Sequence, residues 1–120
     1  GPVMKAALRT AHEKGVKIAF GTDAGVNDHG TNAYEAVLMN EAGMSERAIL
    51  ISATVNAADL MDLTDIAGTI EAGKDAGIIA VSGNPLENIS TLLEPQFVMA
   101  RGNEINLDVP PVDLFPWPNI

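Results

Sequence analysis

Val16-Lys17-Ile18-Ala19-Phe20-Gly21-Thr22-Asp23-Ala24-Gly25 is the stretch on which the reading of this chain turns. The large apolar residues of 16–20 alternate, which is the period of a strand. A carboxylate, Asp23, follows at the carboxyl end of that run, flanked by Gly21 and Gly25. Folds that alternate helices and strands carry their reactive groups just past the carboxyl ends of strands. Glycines on either side let backbone or a ligand come close. A carboxylate so placed can bind a divalent cation and accept a proton from water. On spacing alone it can equally cap the turn that follows it.

Upstream, residues 2–14 read as a helix, with Met4, Ala7, Leu8 and Ala11 at helical spacing and Lys and Arg between them. Gly15 stands where a helix-ending glycine belongs. Downstream, Asn27-Asp28-His29-Gly30 continues a polar loop. His29 beside Asp28 is a candidate metal or substrate ligand and equally a solvated surface histidine. Asn32 followed by Glu35 resembles a capping box, so a second helix is expected from Thr31 or Asn32 to about Ala42, stopping at Gly43. Ser45 caps a third helix, with Met44 and Ile49 placed as the staple around that cap. Thr54 or Asn56 caps a further turn through Met61. Gly43 argues against one continuous helix over 32–61.

Beyond about residue 63 the pattern shifts to short β runs punctuated by Gly68, Gly73, Gly77 and Gly83. Ile78-Ile79-Ala80-Val81 is apolar throughout, as in a strand covered on both faces. Phe97–Ala100 is a second strand, and Arg101-Gly102-Asn103-Glu104 a hairpin turn into Ile105–Leu107. The tail, 108–120, holds four of the seven prolines and reads as an extended arm. The chain is therefore an α/β piece in three parts: residues 1–63, 64–107 and 108–120.

Composition narrows the function. Of 120 residues 47% are apolar, which supports a core and excludes wholesale disorder. The net charge of -9 repels phosphate backbones, so nucleic acid is not an expected partner. Residues 1–17 run against this, with a net charge of +3, and both charged regions read as solvated faces. There is no cysteine, which removes thiol nucleophiles and cysteine-ligated metals. No apolar run approaches the ~20 residues that span a bilayer, and no leader pattern opens the chain. No membrane partner is expected, and the cytoplasm is the favoured location. Gly68-Thr69-Ile70-Glu71-Ala72-Gly73-Lys74-Asp75 nearly spells a phosphate loop, but Asp75 stands where Ser or Thr should hold magnesium and a strand follows instead of a helix. No dinucleotide fingerprint and no G-x-S-x-G elbow occurs. His12 reads as a surface residue, and no paired histidine motif exists from which a zinc site could be built within the chain.

Taken in order, several segments resemble the amidohydrolase superfamily, in the branch of imidazolonepropionase-like enzymes and metal-dependent Xaa-Pro dipeptidases. His12–Gly25 is similar to that family's last barrel strand with its metal aspartate, and His29–Glu35 to the loop and helix after it. Ala42–Ser45 and Ala53–Ala58 are similar to the helices that follow, and Gly68–Ala76 and Gly83–Ile89 to its C-terminal β segment. The likeness runs over roughly residues 5–107. One departure is Gly77, where the family has Asp after the G-K-x-A stretch; a structural consequence is expected there.

The resemblance implies the last strand and helices of a TIM-like (β/α)8 barrel in residues 1–63 and part of a small β-sandwich in 64–107. Such barrels need about 250 residues, so the missing N-terminal part of the same enzyme is an implied partner. The implied activity is hydrolysis of an amide or cyclic C–N bond, in a dipeptide or imidazolone-like substrate, by metal-activated water. The implied cofactor is one or two divalent ions, with zinc favoured. Asp23 becomes the implied metal ligand and proton shuttle, and His29 an implied substrate-orienting residue. The piece alone is expected to be inactive and to self-associate. The competing expectation is a free-standing, non-catalytic α/β module that binds a small ligand or a partner.

Overall fold

The structure is a computed structural model, and it describes residues 1–23 and 30–108. Four helices come first: α1 (Pro2–Glu13), α2 (Tyr34–Glu41), α3 (Glu46–Ala53) and α4 (Val55–Leu60). Strand β1 (Ile78–Val81), a 3-10 helix (Ile89–Leu93), β2 (Pro95–Ala100) and β3 (Asn103–Glu104) follow. The strands form one antiparallel sheet in the order β1-β2-β3. Among the described residues there is neither a barrel nor a second sheet. The tail, 109–120, lies outside them.

The helix ends follow from local chemistry. Proline opens α1, where its missing N–H is not needed. At Gly15 (φ 76°), the amide of Val16 reaches Ala11 O and that of Gly15 reaches His12 O, the paired bonds of a Schellman stop. Gly43 (φ 106°) ends α2 in the same way, so three helices replace one between 32 and 61. Ser45 caps α3 as expected, its Oγ accepting from the Ala48 amide at 3.2 Å. Met44 and Ile49 on either side of that cap are both buried.

Three expected caps are not made. Asn32 does not cap a helix with its side chain: α2 begins at Tyr34 behind Ala33, with no side-chain cap. Thr54 precedes α4, but its hydroxyl donates back to Leu50 O at 2.7 Å. The Asn56 amide leaves the helix altogether and donates to Ile18 O at 2.8 Å. These bonds use each side chain as a donor, whereas a cap would use its oxygen as an acceptor of a backbone amide.

Residues 16–20, expected as a strand, run extended without a ladder among the described residues. A strand is defined by a neighbour, and among the described residues none pairs with this one. Its backbone is tied to helices instead, with Phe20 N donating to Ser52 O at 2.9 Å and Ile18 O accepting from Asn56. Ile18 and Phe20 pack against the buried cluster of Ala36, Met39, Met44, Ile49 and Ile89. Ile89 reaches that cluster from the 3-10 helix, so one core draws on both halves of the chain.

The apolar face expected on α1 is not buried. No residue of α1 is buried, and Met4 is 76% exposed. Polar contacts hold the helix in place: Lys5 pairs with Glu41, and Arg9 Nε donates to Ala42 O at 2.9 Å, a cation at the carbonyl end of α2. Strand β1, expected to be covered on both faces, leaves Ile79 53% exposed. The hairpin forms as expected around Arg101 (φ 51°) and Gly102 (φ 78°), the two positive φ angles of a type I′ turn. β3 itself is only Asn103–Glu104, and Ile105 N then donates to Val98 O at 2.8 Å.

The helical and β halves meet at Gly68 (φ 94°). A Cβ there would lie 2.7 Å from Ala58 Cβ and 3.1 Å from Thr54 O. Gly73 (φ 92°) shares the backbone conformation but has open space around it. Alanine at either position incurs the left-handed penalty of about 1–2 kcal/mol. Gly68→Ala adds an overpacking cost of about 1–3 kcal/mol, so denaturant unfolding should find it clearly less stable than Gly73→Ala. Equal midpoints would mean that the joint yields.

Candidate functional site

Asp23 ends the extended segment 16–23. Three contacts position that segment: Asn56 on Ile18 O, Ser52 O on the Phe20 amide, and Asn32 Nδ2 donating to Thr22 Oγ1 at 3.1 Å. Asp23 is exposed and holds φ 51°, a left-handed backbone uncommon outside glycine but tolerated best by Asp and Asn. Among the described residues its carboxylate makes no hydrogen bond or ion pair. His29, the second candidate, lies outside the described residues. His12 sits half-buried in the last turn of α1, away from any grouping of ligand-type side chains among those residues.

The donor set around Asp23 bears on a metal directly. Among the described residues no three His, Cys, Asp or Glu side chains come together in a group that could hold an ion. A catalytic zinc takes three protein ligands and keeps one open position. An unpartnered carboxylate at the end of a pinned backbone suits the role of one such ligand. The others must come from outside the described residues.

A groove of about 620 Å³ lies between α4 and the sheet, lined by Ala57, Met61, Ile70, Ile79 and Met99, with Asp75 and Arg101 also on its walls. Those two charges face each other, with Arg101 Nε 3.6 Å from Asp75 Oδ2. Asp23 does not line the groove.

The glycine-rich run 68–75 makes no cradle for phosphate. Lys74 Nζ lies 2.9 Å from Glu71 Oε2 and donates to Thr69 Oγ1 at 2.8 Å, and the Thr69 hydroxyl donates to Glu71. The lysine is thus engaged within its own turn. The Thr69 hydroxyl and then the Lys74 ammonium hold the Glu71 carboxyl below the usual glutamate range. A depressed carboxylate stabilises the fold fully above its unfolded pKa, and the contribution fades as pH falls through the lowered folded value. Lys74→Met should therefore move the Glu71 midpoint upward in a side-chain carboxyl NMR titration; an unmoved midpoint would contradict this assignment.

The contacts that sequence reading missed are Asn32 on Thr22 and Asn56 on Ile18. Both asparagines stood out only as cap candidates. Partners 10 and 38 residues away leave no local signature.

Comparison with known proteins places this geometry. The profile of the amidohydrolase family matches residues 3–105. The imidazolonepropionase of Thermoplasma acidophilum is 30% identical over 97 residues, covering 76% of this chain and 23% of its own length. A crystal structure of a Xaa-Pro dipeptidase with methionine bound in its active site is 49% identical, with a TM-score of 0.83, over 87% of this chain and 26% of that one. A prolidase complexed with N-methylphosphonate-L-proline is 28% identical, with a TM-score of 0.75, over 84% of this chain and 26% of its own. The chain spans about a quarter of the length of these relatives.

Proposed function

The chain belongs to the amidohydrolase family, and from that premise we propose that it is the C-terminal portion of a metal-dependent hydrolase of C–N bonds. An Xaa-Pro-type dipeptide is the favoured substrate class. The observation that carries this reading is the 49% identity to a Xaa-Pro dipeptidase across 87% of the chain, against 30% to the imidazolonepropionase. The exposed apolar surface agrees with it. Met4 on α1, Ile79 on β1 and Ile70 beside the groove are large side chains left open to water, as expected where further polypeptide of a barrel would cover them.

In this proposal Asp23 contributes one oxygen ligand to a divalent cation, with zinc favoured, and the remaining ligands come from the missing N-terminal portion. When bound, such an ion lowers the pKa of a water molecule toward ~7 and polarises the scissile carbonyl. With the ion held, the Asp23 carboxylate would take up a proton from the attacking water and would return it to the departing nitrogen as the C–N bond breaks. The products are a carboxylic acid and an amine. His29, six residues on, is proposed to orient the substrate. The 120-residue piece holds one ligand of the site and is expected to turn over nothing alone.

The test is the complete enzyme that contains this chain, assayed on a panel of Xaa-Pro dipeptides and cyclic amides. Asp23→Asn keeps the shape and removes the proton acceptor. Turnover should fall by about 10²–10⁴-fold, the range for loss of a general acid–base group. An Asn variant with full activity would refute the role given to Asp23.

A further inference from the structure

The amide of Asn32 is directed away from the helix it was placed to cap. Asn Nδ2 donates to Thr22 Oγ1 at 3.1 Å, while α2 starts without any side-chain cap. Ala33 and not Asn32 stands at the N-cap, so this donor points to a role outside the helix. The acceptor identifies one. Thr22 immediately precedes Asp23, whose φ of 51° is an uncommon, left-handed backbone that neighbouring contacts help to hold.

The constraint comes from two sides. Ser52 O fixes the Phe20 amide three residues before Asp23, and Asn32 fixes Thr22 one residue before it. The Asp23 carboxylate has no hydrogen-bond partner of its own among the described residues, so its direction is set by the backbone that carries it. A ligand to a catalytic ion must be held to within about 0.5 Å and 10–20° of its productive position.

We infer that Asn32 and Thr22 are a positioning pair for Asp23: the amide-to-hydroxyl bond holds the backbone from which the reactive carboxylate projects. Neither side chain touches the reacting atoms. The inference rests on the reading of Asp23 as metal ligand and proton shuttle. It adds two residues to that reading.

The experiment uses the complete enzyme and five variants. Thr22→Val keeps the shape and removes the hydroxyl, Asn32→Ala removes the donor, and the two are also combined. Thr22→Ser restores an acceptor hydroxyl. Ser45→Ala removes a helix cap elsewhere and serves as a control for simple loss of stability. Readouts are kcat and KM separately, loss of bound zinc to a competing chelator, and the melting temperature.

Thr22→Val and Asn32→Ala should each lower kcat by about 10-fold or more, within the 10–100-fold range for residues that support a metal ligand. KM should change little, and zinc should be lost at about tenfold lower chelator concentration. The double variant should be no worse than the weaker single, because both remove one bond. Thr22→Ser should behave like the parent. If the two singles match Ser45→Ala, changing the melt but neither kcat nor zinc retention, the pair is merely structural and the inference is overturned. Additive losses in the double variant would overturn it as well. Asp23→Asn, run alongside, separates the two levels: full activity there sinks the reading of Asp23, whereas loss there with active Thr22 and Asn32 variants sinks the positioning pair alone.

Discussion

An extended backbone must give its N–H and C=O groups to something, and residues 16–23 have no strand beside them among the described residues. That constraint organises the helical half of the chain. Asn56 reaches back 38 residues to the Ile18 carbonyl, and the Ser52 carbonyl takes the Phe20 amide. The segment therefore lies against α3 and α4 as a strand would lie against its crossover helices. Ile18 and Phe20 then turn toward the buried cluster around Ile49. Loss of these bonds would leave backbone groups without partners and move Asp23, the proposed metal ligand.

The balance between burial and polar contact is unusual for a chain that is 47% apolar. Seven hydrophobic residues form the buried core among the described residues, while Leu60, Met61, Ile70 and Val3 stand in water. Helix α1 is attached by Lys5, by Arg9 and by the partly buried Leu8, which packs against the core cluster. Exposed ion pairs contribute little, and Val3 and Met4 of the same helix stay open to water. The same holds for β1, whose sequence is that of a strand buried on both faces but whose Ile79 is half open.

Much of the local structure was legible because its causes are local. Gly15 and Gly43 stop helices through their own φ angles, Ser45 caps through its own hydroxyl, and Arg101-Gly102 turns a hairpin through two positive φ values. Asp62 (φ 58°) ends α4 in the same left-handed way, and no glycine marked it. β1 is the strand its sequence announces, but its coverage, like the pairing of residues 16–20, depends on neighbours that a local pattern cannot name. Asn32 and Asn56 lie beside the N-cap positions Ala33 and Thr54, and their amides donate to partners far along the chain. For the site, the carboxylate after an apolar run with flanking glycines was visible. Its role came from the resemblance of whole segments, since spacing alone left a turn-capping aspartate open.

The contact between Gly68 and Ala58 has an evolutionary corollary. With 2.7 Å available to a Cβ, the two positions share one small volume, and the left-handed backbone at 68 already favours glycine. Position 58 is consequently closed to anything much larger than alanine as long as the two halves keep their spacing. Across divergent relatives these sites should drift as a linked pair, and a bulky residue at 58 should appear only where the loop at 68 has been rebuilt.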